Sequence, residues 1–480
     1  MSLVRRSITS TGWNAAANVL SLVVLFARSV LLARMLPVAV FGAYRQAGSL
    51  ISLTVVLTGF GMPGAFLHRA PETADEEQAA AVLFTLKLLF TLFWLALMVT
   101  ATLLFAEGDL RLALLWLLTT STGMQLTETP RSILRRRVVH RRLAMVQTFT
   151  AVGTTIAALL WAWLSPSLLA LLVTDVVAVL IALFLLYGYR PVWRPRLSLD
   201  RPTVRYFLDF GRRNFMASFL VQALDRVDDV WTGFYLGERP LGFYSRAYTF
   251  ATYPRQILAV PVNTVAVGTY AELSDDRRRL SQAFFRTNAL LVRTGFILGG
   301  VLALIAPEFI RLLLGDKWLP MLDAFRLMLL YTLLDPIKGT VANLFIAVGK
   351  PEYIVRARLA QLAVMLAGLV LLGPPLGIVG VALAVNLMLL VGIVLLLWQS
   401  RPFVDFNAWR LFAAPLLALL VGMGGAWAAS QLPAVAGSDW RTGAVKLVVF
   451  GLVYGAILFL LERRQMLDMI AMLRRQLRRS

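Results

Sequence analysis

Residues 220–237 read LVQALDRVDDVWTGFYLG. The flanks suit a membrane span, yet Asp225, Arg226, Asp228 and Asp229 fall within five residues of one another. On a helix, residues three and four apart share a face. Asn214, Ser218, Gln222, Asp225, Asp229 and Thr232 follow that spacing, with Asp228 adjoining. These side chains form one polar stripe running back to Asn214. Arg226 sits on the next strip, within reach of Gln222 and Asp229. A charge at the centre of a span costs about 2.5–3.5 kcal/mol on insertion scales. The stripe must therefore face a polar cavity or opposite charges on neighbouring helices.

The rest of the chain supplies such neighbours. Of its 480 residues, 59% are hydrophobic and 15% charged, and the mean hydropathy is +0.74. Soluble domains average roughly 45–50% apolar and 25% charged. The excess falls in blocks of the length, about 20 residues, that crosses a bilayer as a helix. They lie near 11–34, 40–64, 80–105, 110–129, 144–164, 167–188, 206–236, 241–270, 284–306, 321–347, 353–373, 376–398, 408–430 and 441–461. The expected fold is an all-α integral membrane protein of about 14 spans, with no separate soluble domain. The basic, then apolar, N-terminus reads as the first span rather than a cleaved signal peptide.

Several chemistries are excluded. The chain has no Cys, and its two histidines, His68 and His140, lie beside connections. No disulfide framework, thiolate chemistry, His-based metal site or Ser-His-Asp triad is expected. No Gly-rich loop ends in GK[ST], so ATP is not the expected energy source, and no cofactor is implied.

The net charge of +21 is unevenly placed. Basic connections occur at 131–142, 189–205, 275–286 and 349–358 and at both termini. The alternating connections, at 106–109, 165–167, 236–240, 373–375 and 432–439, hold almost no Lys or Arg. The positive-inside rule then puts both termini in the cytoplasm. Residues 308–320 are an exception on the outer side, expected to lie along the interface with Trp318 at headgroup depth. Short Arg clusters beside membrane ends point to anionic membrane lipids as partners, not nucleic acid. Residues 462–480 space Met466, Ile470 and Leu473 among arginines, as an amphipathic helix on the cytoplasmic leaflet or a solvated tail.

The chain also repeats itself. Shifted by 200 residues, Asn14 meets Asn214, Leu20 meets Leu220, Val30 meets Val230, Gly42 meets Gly242, Tyr44 meets Tyr244 and Ala47 meets Ala247. FGAYRQA (41–47) answers LGFYSRA (241–247). Six spans separate the copies, so both keep one orientation, and parallel-repeat bundles place substrate between their halves. The expected division is a six-helix lobe at 1–190, a second at 206–400, an additional helix pair at 401–461 and the basic tail at 462–480.

Other polar side chains join the first stripe as candidates. Asn14, Asn18, Ser21 and Arg28 lie on span one, and Arg246, Thr249, Tyr253 and Gln256 on span eight, where Arg255 could also point inward. Asp335 and Lys338 on span ten are three apart and can pair. Asp175 on span six stands isolated, as either a satisfied core carboxylate or a proton-coupling site. Two readings remain for the charges: structural pairing, as Arg226 with Asp229 or Asp228 with Arg28 across the halves, or a polar path that touches cargo.

The stretches LDRVDDVWTGFYLG (224–237), LGFYSRAYTFATYPRQIL (241–258), LLLGDKWLPML (312–322) and GIVGVALAVNL (377–387) resemble bacterial polysaccharide exporters. These are the Wzx-type lipopolysaccharide and O-antigen flippases of the multidrug/oligosaccharidyl-lipid/polysaccharide superfamily. The resemblance implies two six-helix lobes around a cationic lumen in the bacterial inner membrane. It further implies movement of undecaprenyl-diphosphate-linked oligosaccharide to the periplasmic leaflet by a monomer working beside polysaccharide assembly proteins. Asp225 falls where the family often has Asp; Asp228 and Asp229 fall where apolar residues are commoner. A diphosphate needs fixed cations, and Arg binds phosphate in bidentate fashion. Arg28, Arg246 and Arg255, with Arg226 nearby, are the candidates for that role. Asn14, Asn214, Gln222 and Asp225 could bind sugar hydroxyls. Asp175, Asp228, Asp229, Asp335 and Lys338 remain for ion coupling or charge pairing. The alternative is an ion-coupled exporter of organic cations from the same superfamily, which would favour acidic lumen residues. A polysaccharide polymerase or ligase fits poorly, because the outer connections are short and lack His.

Overall fold

The computed structural model describes residues 3–68, 76–433, 435 and 438–477, and every regular element among them is helical. In chain order the main helices are α1 (Leu3–Met35), α2 (Val38–Thr54), α3 (Glu76–Phe105), α4 (Gly108–Leu126), α5 (Glu128–Arg136), α6 (His140–Leu164) and α7 (Leu169–Leu183). They continue as α8 (Arg201–Tyr235), α9 (Glu238–Glu272), α10 (Arg277–Leu304), α11 (Leu322–Ala347), α12 (Glu352–Ser400), α13 (Ala408–Ser430) and α14 (Asp439–Leu477). Among the described residues, eight helical segments are long and apolar enough to cross a membrane by length and composition alone. The other long helices are α1, α4, α8, α9 and α11, and the set is compatible with about 14 spans.

Local chemistry explains the helix limits. Asp200 caps α8, accepting from the Thr203 backbone N–H at 3.1 Å and the Thr203 hydroxyl at 2.6 Å, with Pro202 in the first turn. Residue Gly377 breaks α12: its φ of 56° and ψ of −137° are non-helical, just after Pro374 and Pro375. The break falls beside the expected connection at 373–375.

The exterior is that of a protein in lipid. Phe105 is 86% exposed and Trp163 77% exposed, and large apolar side chains stay uncovered along most helices. In water such a surface would drive aggregation. Trp163, Trp409 and Trp440 lie near helix ends, where aromatic belts meet headgroups.

Packing divides the chain into two compact units, Met1–Gly242 and Phe243–Ser480. In the first, α1 packs on α6, α6 on α7, α3 on α4, and α2 on both α4 and α8. In the second, α11 packs on α10 and α12, while α13 and α14 pair with each other and both lie on α10. The sequence repeat near residue 200 and this packing boundary are different divisions: one records which segments are alike, the other which helices touch.

The repeat has a structural counterpart at the start of α2 and α9. A Cβ on Gly42 would lie 1.7 Å from the Glu238 carbonyl oxygen, and one on Gly242 2.2 Å from the Val38 carbonyl oxygen. Val38 and Glu238 are themselves 200 residues apart. Each copy thus sets its glycine against the first turn of the other, a reciprocal crossing that only a missing side chain permits.

Two findings in the second unit differ from what the sequence suggests. Trp318 does not present its ring to lipid headgroups: it is 0% exposed, edge-on to Phe243 with ring centroids 5.9 Å apart. The connection coils into short turns, Ala306–Phe309, Ile310–Leu314 and Asp316–Met321, that fold its tryptophan inward. The final helix pair is also firmly docked. Lys446 Nζ meets Glu308 Oε1 at 2.6 Å, and Arg293 grips Glu462 through Nε–Oε2 and Nη2–Oε1, both 2.6 Å. Tyr454 donates to the Arg293 carbonyl at 2.8 Å. Glu462 also marks a break in α14 (φ −132°, ψ 35°); the side chains expected on the amphipathic tail beyond Arg463 lie outside the described residues.

Glu462→Gln removes the charge from a buried, two-pronged ion pair while keeping its shape. Hydrogen bonds to charged groups are worth about 1.5–3 kcal/mol. The expected result is a stability loss of about 2 kcal/mol, measured as the thermal midpoint of detergent-purified protein. An unchanged midpoint would mean that this pair does not anchor the last helix.

Candidate functional site

The polar stripe of α8 divides into three parts. Its N-terminal members bond their own helix: Asn214 donates to the Phe210 carbonyl at 2.9 Å, and Ser218 to the Asn214 carbonyl at 3.1 Å. The middle engages α2, with Gln222 Nε2 donating to the Ser52 carbonyl at 2.9 Å, whereas Asp225 is exposed. Lastly, Asp228, Asp229 and Thr232 are buried.

Asp229 is the hub. Its side chain is 1% exposed, and Oδ2 lies 2.7 Å from Arg45 Nε on α2. Ser49, one turn further along α2, donates to the same oxygen at 2.9 Å. Arg226 is more distant, at 3.9 Å. The expected pairing of Arg226 with Asp229 is thus present as the weaker of two, and the principal partner is Arg45. The repeat places Ser245 and Ser29 where Arg45 and Asp229 stand, so the charged pair has an uncharged counterpart.

A second polar contact joins α2 to α7. The Tyr44 hydroxyl donates to Asp175, at 2.9 Å from Oδ2 and 3.2 Å from Oδ1. Asp175 is therefore not isolated. Arg28 on α1 acts electrostatically on both groups, and its Nη1 donates to Thr154 Oγ1 on α6 at 2.9 Å. The side chain of Asn14 lies outside the described residues.

In the second unit, Asp335 on α11 holds two cations. Lys338 Nζ is 2.8 Å away, one turn along the same helix, and Arg255 Nη2 reaches across from α9 at 3.0 Å. The Asp335–Lys338 pair is as the spacing suggests; the third member comes from another helix. Arg246 is half-buried on α9. Asn343 Nδ2 donates to the Asn263 carbonyl at 3.2 Å, which extends polar contact between α9 and α11.

Chemically, these carboxylates are already engaged: Asp229 by Arg45 and Ser49, Asp335 by Arg255 and Lys338, Asp175 by Tyr44. One carboxylate cannot neutralise two cations, so the Asp335 cluster keeps a positive excess in low dielectric. Guanidinium groups so placed suit phosphoryl oxygens. Sequence reasoning missed Arg45, although it sits inside the repeated motif FGAYRQA and has no basic counterpart at Ser245. It also missed Lys87, Arg293, Glu308, Lys446 and Glu462, each a charge within or beside an apolar block.

Long lipid-exposed helices whose charged side chains meet inside the protein define a multi-pass membrane transporter. The chain belongs to the polysaccharide biosynthesis protein family, which matches residues 31–323. It is similar to lipopolysaccharide biosynthesis protein WzxC of Escherichia coli strain K12, at 22% identity over 420 residues, covering 82% of this chain and 81% of that protein. It is likewise similar to succinoglycan biosynthesis transport protein ExoT of Rhizobium meliloti strain 1021, at 28% identity over 318 residues, 64% of this chain and 63% of that protein. Among solved structures, the lipid II flippase MurJ in an inward closed conformation superposes with a TM-score of 0.78 at 16% identity, covering 96% of this chain and all of that one. An inward-facing multidrug resistance MATE family transporter of the MOP superfamily gives 0.63 at 15% identity, covering 80% of this chain and 95% of that one. The all-α exporter fold expected from the sequence is the fold found.

Proposed function

We propose that this chain translocates a lipid-linked oligosaccharide across the bacterial cytoplasmic membrane by alternating access, for surface polysaccharide biosynthesis. The cargo is a sugar chain on undecaprenyl diphosphate, and both termini face the cytoplasm. The working parts are the six-helix lobes 1–190 and 206–400, with the pair 401–461 and the tail 462–480 as additions. The two relatives above, named for lipopolysaccharide and succinoglycan biosynthesis, support this reading. So does the fold shared with a lipid II flippase.

The observation that carries the proposal is the sharing of Asp335 between Arg255 and Lys338. An exporter of organic cations needs carboxylates available to its cargo; here Asp335, Asp229 and Asp175 are occupied by groups of the protein itself. The excess cations match a diphosphate instead, and Asn214, Gln222 and Asp225 supply hydrogen bonds suited to sugar hydroxyls. With no nucleotide-binding motif, the driving force is an ion gradient or consumption of the product on the far side. Anionic lipids around the basic connections and polysaccharide assembly proteins complete the set of partners, and the chain acts as a monomer.

Arg28→Ala and Arg246→Ala are expected to lower surface polysaccharide output roughly tenfold or more, since one lost charge-assisted contact is worth about 1.5–3 kcal/mol. Protein level in the membrane should not change. The measurement is polysaccharide yield at matched expression, with lipid-linked precursor assayed on each leaflet. Normal output from both variants would sink the cationic path. Export of organic cations from vesicles, lost in Asp229→Asn, would favour the multidrug alternative.

A further inference from the structure

The first unit holds a second cluster of polar groups, away from the α2–α8 seam, where α3 meets α5. Thr91 Oγ1 on α3 and Thr129 Oγ1, Arg131 Nε and Ser132 Oγ on α5 are buried, and none has a hydrogen-bond partner among the described residues. Lys87 lies one turn before Thr91 on the same face of α3. It is 4% exposed and makes no ion pair or hydrogen bond among the described residues. The neighbouring carboxylate is Glu128, which is taken up by Arg135 Nη1 at 2.9 Å. Lys87 is within electrostatic reach of both.

This combination is physically costly as it stands. More than about 90% of buried polar groups in proteins have a partner. A buried cation without a counterion costs several kcal/mol. Four orphaned atoms lie on two touching helices beside three cations, Lys87, Arg131 and Arg135, that share one carboxylate, Glu128, and the cluster keeps a positive excess. Water could satisfy the hydroxyls but would leave the positive charge in excess of Glu128 unneutralised. A halide would neutralise charge but is too small to use so many donors. A tetrahedral oxyanion does both: it offers several acceptors to the hydroxyls and the ammonium, and its edge fits the guanidinium fork.

We infer that Lys87, Thr91, Thr129, Arg131 and Ser132 form a binding site for a phosphate-class oxyanion inside the first unit. Lys87 is 11 residues from Glu76 at the start of α3, about 16 Å along the helix at about 1.5 Å per residue. That depth admits free inorganic phosphate, or a lipid phosphate drawn below the headgroup level. None of these residues belongs to the proposed cargo path, so the site stands or falls separately from the transport reading.

The test uses the full chain purified in detergent. Its thermal midpoint is followed as sodium phosphate replaces sodium gluconate at constant ionic strength, and in a parallel series with short-chain phosphatidylglycerol. A ligand that binds only the folded state raises the midpoint in a saturable way. The expected result is a rise of several degrees in the wild type, absent in Lys87→Gln and Arg131→Gln, reduced in Ser132→Ala and retained in Lys87→Arg. A response to inorganic phosphate assigns the free ion; a response to the phospholipid alone assigns a headgroup. If Lys87→Gln does not accumulate, Ser132→Ala and Thr91→Val carry the test without changing charge. A wild-type midpoint indifferent to both probes overturns the site, as does an equal rise in all variants.

Discussion

Gly42→Ala is expected to abolish the folded protein or leave a badly destabilised one. The added carbon would lie 1.7 Å from the Glu238 carbonyl oxygen, and that partner is backbone, which cannot swing aside as a side chain can. Relief requires α2 and the start of α9 to move apart by more than 1 Å, which would disturb the α2–α8 packing and the Asp229 cluster with it. Overpacking costs about 1–3 kcal/mol, and a clash with backbone belongs at the upper end, about 3 kcal/mol. Gly242→Ala meets the Val38 carbonyl at 2.2 Å and should behave alike. The control is Gly48→Ala on the same helix, where nothing lies within 4 Å. There the substitution should be neutral, or stabilising by about 0.5–1 kcal/mol as for Gly→Ala in helices generally. Size-exclusion profiles and thermal midpoints of the three variants decide the matter. Equal behaviour of Gly42→Ala and Gly48→Ala would falsify the tight crossing.

Asp229→Ala should be as damaging, through charge. Removing one member of a buried pair leaves the other uncompensated, at about 3–5 kcal/mol. Arg45 would lose its partner at 2.7 Å, and Ser49 its acceptor at 2.9 Å. The informative comparison is the double variant Arg45→Leu with Asp229→Leu. Replacing a whole buried pair by apolar groups is often neutral or stabilising. The double variant should therefore regain most of the thermal midpoint lost in Asp229→Ala. If it also regains polysaccharide output, the pair is structural; if output stays low, the pair belongs to the transport cycle. A single variant as stable as the wild type would mean that Arg226, at 3.9 Å, is a sufficient partner.

The architecture was legible because a bilayer imposes length and polarity on each helix, and both can be read from one strand of text. The spans, the break beside Pro374 and Pro375, and the alignment of Gly42 with Gly242 all follow from local pattern. Neighbours were harder. Helical spacing identifies the face that carries Asp229, but Arg45 reaches it from 184 positions earlier in the chain, and no period encodes that distance. Asp335 shows the mixed case: Lys338 is one turn away and could be foreseen, while Arg255 arrives from another helix. Arg293 and Glu462 are 169 positions apart, one inside an apolar block and the other just past one, and nothing in the sequence joins them. Trp318 failed for a different reason. A tryptophan near a membrane end suits the interface, and only the coiling of its connection buries it.

The glycine crossing has one more consequence. A contact that uses the same patch on both sides is the geometry of a two-fold dimer. In a dimer of identical half-chains, every substitution at that patch would be made twice, once on each side. Joining the halves into one polypeptide releases them from identity. An arginine can then stand at position 45 opposite an aspartate at 229, while positions 245 and 29 keep uncharged serines. Asymmetry of charge within a symmetric frame is the freedom that a fused chain has and a homodimer lacks, and a carrier that must pass cargo in one direction has use for it.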